Sequence, residues 1–95
     1  MFMVVYILYS ESLDQFYIGQ TEDLNKRLDQ HLNKLFTDGY TTKADDWSLY
    51  FYLECTSRRQ AVNIERHIKR MKSRKFINDL KNYPELGERL KLKYH

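Results

Sequence analysis

Tyr6, Tyr17, Arg27 and His31 fall within one stretch of 26 residues, and a lone carboxylate, Glu65, follows in a basic segment. These side chains suit phosphate chemistry. A fixed guanidinium clamps phosphate oxygens through paired N–H donors. A phenol can hydrogen-bond a water or a phosphate oxygen, and it passes a proton when a nearby cation lowers its pKa. One carboxylate among cations can hold a Mg²⁺ ion that keeps most of its waters and takes its other ligands from phosphate. Each residue also has a plainer reading. Arg27 can be an exposed helix arginine whose stem covers apolar surface. Glu65 can pair with Arg58, Arg66 or Lys69. The tyrosines can be core-edge aromatics.

The elements that must position these groups follow from local patterns. Val4 to Tyr9 is β-branched or aromatic apart from Leu8, which predicts a strand with both faces partly covered. Ser10 to Gln15 suits a hairpin loop, and Phe16 to Gln20 reads as the returning strand, stopped by Gly19. Thr21 or Asp23 can cap a helix whose apolar stripe is Leu24, Leu28, Leu32 and Leu35, ending before Asp38-Gly39. Arg27 and His31, four apart, share one side of that helix at the rim of the stripe. Tyr40 to Asp46 reads as a polar loop. Trp47, Leu49, Phe51 and Leu53 alternate with polar or tyrosine positions, predicting a third strand of period two. Thr56 or Ser57 can cap a second helix with Ala61, Ile64, Ile68 and Met71 inward and Glu65 on the border. Ser73 restarts a short helix through Phe76, Ile77 and Leu80. Pro84 opens a last helix over 84–92, packed through Leu86, Leu90 and Leu92. The expected fold is α/β, a small three-stranded sheet covered by helices, in the order strand-strand-helix-strand-helix-helix-helix. Residues 1–95 read as a single domain.

Composition excludes several function classes. The single cysteine, Cys55, cannot form an internal disulfide, reads as a small buried hydrophobe, and suits a reducing, cytoplasmic setting. No apolar run reaches the ~20 residues of a membrane helix. His31, His67 and His95 lack zinc-ligand spacing, and His67 and His95 read as surface residues. There is no phosphate-binding glycine loop and no catalytic serine motif. The net charge of +3 is unevenly spread: residues 1–55 hold four Lys/Arg against nine Asp/Glu, and residues 56–95 twelve against four. That asymmetry suggests a polyanion partner for the C-terminal half, or else a solvated lysine-rich surface.

Taken in order, Val5-Tyr6-Ile7, Tyr17-Ile18-Gly19, Arg27, His31 and Glu65 resemble the GIY-YIG nuclease family, and the length and architecture are similar to its small stand-alone bacterial members. The resemblance runs from about Val4 to about Lys81. It implies an α/β module that hydrolyses DNA phosphodiester bonds with one divalent ion, Mg²⁺ or Mn²⁺. On these positions it makes Tyr6 and Tyr17 the motif tyrosines, Arg27 the helix arginine, His31 the aromatic or histidine one turn on, and Glu65 the metal ligand. The basic surface of Arg58, Arg59, Arg66, Lys69, Arg70, Lys72, Arg74 and Lys75 would then follow a DNA backbone. The chain departs from the pattern at the first glycine of the name motif, which is absent, and at Gln20, where some relatives carry lysine. Asn78 loosely matches a late asparagine of several relatives.

Two further readings share these features. One is a nucleic-acid-binding module of the same fold with weak or no catalysis. The other is a protein-interaction domain with the tyrosines as contact surface. For a nuclease without a separate recognition domain, specificity must come from DNA shape, a partner protein or a homo-oligomer.

Overall fold

The structure, a computed structural model, describes residues 2–32 and 43–95, with the backbone alone for His31 and Leu32. Strands β1 (Met3–Ser10) and β2 (Gln15–Thr21) form the expected hairpin. Helix α1 (Leu24–Leu32), strand β3 (Trp47–Cys55) and helices α2 (Arg58–Met71), α3 (Arg74–Asn82) and α4 (Pro84–Lys93) follow in the predicted order. Leu35, the helix stop ahead of Asp38 and the first residues of the loop from Tyr40 lie outside the described residues.

The three strands form one antiparallel sheet in the order β2-β1-β3, so β2 is an edge strand. The alternation along β1 sends its side chains to two cores. Met3, Val5 and Ile7 pack with Ala61, Ile64 and Ile68 of α2, Ile77 and Leu80 of α3, and Leu90 of α4. Tyr6 and Leu8 face the other way and pack with Trp47, Tyr17, Leu24 and Leu28. Thus α1 covers one face of the sheet and the remaining helices cover the other.

Caps set the helix starts. Asp23 accepts the Lys26 N–H at 3.0 Å, which makes Asp23 the cap of α1, and Thr21 Oγ1 in turn accepts the Asp23 N–H. Ser57 and Ser73 cap α2 and α3 by accepting the N–H groups of Gln60 and Phe76, both at 3.1 Å. Pro84 opens α4 as expected. Cys55 is a free, fully buried thiol.

Five expectations need correction. Met71, expected on the inward stripe of α2, is 46% exposed at the last turn of the helix. Gly19 does not stop the returning strand, which pairs with β1 as far as Thr21. The period-two pattern of β3 does not hold along its length. The register passes from Ile7↔Phe51 to Leu8↔Leu49, which leaves Tyr50 as the extra residue of a bulge. Tyr50 therefore joins Phe51 and Leu53 against the α2 core, Trp47 lies in the other core, and Leu49 is exposed. In α4, Leu90 is buried but Leu92 is 76% exposed. Gly87 takes the inward place instead, so near the sheet that a Cβ on it would lie 3.1 Å from Leu53 Cδ1. His67 is half-buried rather than on the surface. Its ring lies between Phe76 and Tyr94, its Nδ1 is 2.9 Å from the Tyr94 hydroxyl, and burial followed by the charges of Lys93 and Arg70 lowers its pKa.

Candidate active site

Tyr6 and Tyr17 lie on the α1 face of neighbouring strands, their ring centroids 6.3 Å apart. Tyr6 is 0% exposed and pairs across the hairpin with Gly19. Its ring lies over that glycine so closely that a Cβ at position 19 would be 2.6 Å from the phenol oxygen. The glycine of Tyr17-Ile18-Gly19 is thus explained by close approach of a side chain, with no need for an unusual backbone angle. Tyr17 is half-buried and meets Trp47 edge-on at 6.4 Å.

At the C-terminal end of β2, where α1 begins, a cleft of about 350 Å³ opens. Gln20, Lys26, Arg27, Gln30 and Arg58 line it, together with Met3 and the acidic turn Glu22-Asp23. Arg27 is half-buried there, at the rim expected for it. Arg58 enters from α2 and donates to Glu22 at 3.2 Å, so the cleft is bounded by the start of both helices. Lys26 and Gln30 were not singled out by sequence reasoning. The signal available was their place beside Arg27 on α1, which does not separate cleft lining from solvated surface.

Tyr6, Tyr17 and Glu65 do not line this cleft, and helical spacing alone relates Glu65 to it. One flank of α2 is fastened to the C-terminal segment, where Gln60 Nε2 donates to the Lys91 carbonyl and His67 meets Tyr94. Arg58 and Glu65, seven residues apart, share the opposite flank about two turns, or ~10 Å, from each other. That flank is the one from which Arg58 reaches the cleft. The Glu65 side chain is 18% exposed and accepts a hydrogen bond from Lys69 at 2.9 Å, the plainer partner expected for it. Gln20 alternates with Gly19, so it lies on the α2 face of the same edge strand. Its Oε1 is buried without a hydrogen-bond partner, the single side-chain atom of this kind among the described residues. The side chain of His31 lies outside the described residues.

The basic residues divide into two groups. Arg59, Arg66 and Arg70, spaced by seven and four, form an exposed stripe on the outer face of α2 with no acidic partner among the described residues, and Lys72 caps that helix in a left-handed conformation. Arg58, Lys69, Arg74 and Lys75 are each paired with an acid: Glu22, Glu65, Asp14 and Asp79. Arg74 lies well away from the cleft. It binds Asp14 in the hairpin, at the opposite end of β2 and about 20 Å away by strand length.

A family model for the GIY-YIG catalytic domain matches residues 2–78. The chain belongs to the GIY-YIG family. That family is one of nucleases, and its two name motifs fall on β1 and β2 here, with Tyr6, Tyr17 and Gly19 in mutual contact or adjacent. No curated protein matches the chain. Among solved structures it is similar to a UPF0213 protein of Bacillus halodurans determined by NMR in solution, at 25% identity and a TM-score of 0.54, covering 93% of this chain and 94% of that one. The resemblance to small bacterial GIY-YIG proteins is therefore borne out in fold and family. No described helix is long and apolar enough to cross a membrane.

Proposed function

We propose that this chain is a divalent-metal-dependent endonuclease acting on DNA, with its scissile phosphate bound at the C-terminal end of β2. The observation that carries the reading is the convergence there of Arg27, Lys26 and Arg58 beside the two motif strands. Three cations against the two carboxylates of Glu22 and Asp23 leave the cleft net positive, which suits a phosphodiester.

The donor set fits one substrate-shared ion. Glu65, the metal ligand that the family resemblance implies, would hold it together with phosphate oxygens and water. When bound, Mg²⁺ or Mn²⁺ supplies charge neutralisation at the scissile phosphate. The rest of the chemistry falls to this chain. Arg27 donates to the phosphate oxygens as negative charge builds up on them, the kind of contribution that dominates many active sites. Tyr17, half-exposed, positions the water or a phosphate oxygen. Tyr6, fully buried beneath the strand edge, serves as base or proton relay rather than as a solvent-facing acid, with His31 assisting. Gln20 offers its unsatisfied oxygen as a neutral acceptor where some relatives carry a cation, which suits orienting a water.

The test is cleavage of plain duplex, flapped, branched and single-stranded DNA with and without Mg²⁺, by the parent protein and by Glu65→Gln. Glu65→Gln keeps the shape, removes the charge and forfeits an i,i+4 pair of about 0.3–0.5 kcal/mol, too little to unfold the protein. Divalent-dependent cutting by the parent and none by the variant is expected. Cutting by Glu65→Gln at the parent rate would remove Glu65 from the metal site. A parent protein that binds DNA but cuts none of these forms would favour a binding module of the same fold.

A further inference from the structure

The hairpin end of the sheet carries a second cleft, on the face opposite Tyr6. It measures about 480 Å³ and is lined by Tyr9, Phe16, Tyr50, Arg74, Lys75 and Asn78. Each of the first three comes from a different strand. Tyr9 and Phe16 are cross-strand partners with centroids 4.9 Å apart, and Tyr50 meets Phe16 edge-on at 5.0 Å. Tyr50 reaches this face because it is the bulged residue of β3. A regular alternation would have turned it away from Phe51, and bulges commonly re-aim a side chain in this manner.

Above the rings runs one stripe of α3: Arg74, Asn78 and Lys81, spaced by four and three. The Arg74 guanidinium lies over Phe16 at 5.1 Å, the Lys81 amine lies over Tyr50 at 4.3 Å, and Asn78 Oδ1 accepts the Tyr50 hydroxyl at 2.7 Å. Two acids neighbour the cleft. Asp14 accepts from both Arg74 and Tyr9, and Asp79 accepts from Lys75. These pairs are solvent-exposed, so exchanging a carboxylate for a phosphate costs little. Lys81 has no acidic partner among the described residues.

Rings from three strands with cations beside them can stack an unpaired base and hold its phosphates, here with the exposed Arg74 and Lys81 side chains swinging from over Phe16 and Tyr50 onto the phosphates. Inside a duplex both faces of each base are already stacked, so the rings select an unpaired base. We propose that this cleft holds an unpaired nucleotide of a DNA substrate, about one β2 length from the site of cleavage, so that the protein prefers duplexes carrying a single-stranded extension. The proposal rests on DNA being the substrate, as above, but not on catalysis. The positive balance of residues 56–95, which supply Arg74, Lys75 and Lys81, is the complement of such a tail.

The experiment is fluorescence anisotropy in EDTA, using labelled blunt duplex and the same duplex with a 5′ or 3′ tail of roughly six thymidines. The parent protein, Lys81→Glu and Tyr50→Leu are compared, with thermal melts of each. The expected result is a tail preference of about fivefold or more in the parent, the low end of what stacking one base contributes. Both variants should lose that preference while binding blunt duplex as before. Lys81 is exposed and Lys81→Glu leaves the core untouched, so the test stands if Tyr50→Leu does not fold. Equal affinity of the parent for tailed and blunt duplex overturns the proposal, as does a preference that survives Lys81→Glu. Failure to bind DNA of any form overturns the nuclease reading together with it.

Discussion

The Tyr6 phenol occupies the space where a side chain on Gly19 would begin, with its oxygen 2.6 Å and its ζ carbon 2.8 Å from the position of a Cβ. Tyr6 has no solvent-exposed surface into which it can retreat. Gly19→Ala must therefore displace either the ring or the edge strand. It should destabilise the protein by about 1–3 kcal/mol, as overpacking does, and lower Tm by several degrees in a thermal melt. Cleavage should fall further than the folded fraction, because the ring that moves is a candidate catalytic one. A Tm equal to that of the parent would mean the contact is loose.

Arg27→Ala should separate rate from affinity. One phosphate contact among several contributes modestly to binding. A donor directed at transition-state charge typically contributes on the order of a hundredfold or more in rate. Arg27→Lys should recover only part of the loss, since a point charge cannot reproduce a two-pronged contact. Single-turnover cleavage at saturating enzyme is read beside a metal-free binding titration. Equal losses in both would reduce Arg27 to a backbone contact.

Arg66→Glu combined with Arg70→Glu tests the outer stripe of α2. Neither residue has an acidic partner among the described residues, and neither touches the core, so the fold should be retained. Binding should weaken by a similar factor for unrelated DNA sequences, and the salt slope should flatten by about one unit for each phosphate no longer engaged. Unchanged affinity would place the DNA track elsewhere.

Acid should weaken the hairpin end of the sheet first. The Tyr9 hydroxyl bond, then the bond and charge of Arg74, hold the Asp14 carboxyl below its ordinary value. Asp46 is held low by the Ser10 hydroxyl and the Ser12 N–H. A depressed carboxyl contributes stability above its unfolded pKa, and that contribution is lost as pH falls through the folded value. Tm should therefore fall as pH drops below about 4. Asp14→Asn should flatten that limb while leaving cleavage at neutral pH unchanged. An acid limb identical to the parent's would show that the Asp14 network adds nothing to folding.

Local signals in the sequence located most elements, because caps and periodicities act within a few residues. Asp23 and Ser57, each one of two candidate caps, and Ser73 and Pro84 start their helices, and both tyrosine motifs fall on paired strands. The departures come from contacts made across long separations. His67 leaves the surface because Tyr94, 27 residues on, closes over it. The β3 alternation fails because the bulge is defined only by pairing with β1. Leu92 faces out because Gly87, with no side chain, brings α4 against Leu53 and Phe51 on another line. For the proposed site, residue types and order pointed to Tyr6, Tyr17, Arg27 and Glu65, of which Arg27 lines the cleft. The cleft itself was not legible, since Arg58 joins Arg27 there only through the packing of two helices on opposite faces of one sheet.

The α4 helix lies beyond residue 78, where the family match ends, yet Gln60 donates to its Lys91 carbonyl and His67 meets Tyr94 just after it. The helix that bears Glu65 is thus splinted from behind by a segment outside the recognised motif span. Trimming the chain to the family boundary would leave the carboxylate on a helix with one wall missing. The smallest unit that holds the proposed site in shape is therefore longer than the unit that carries the family signature.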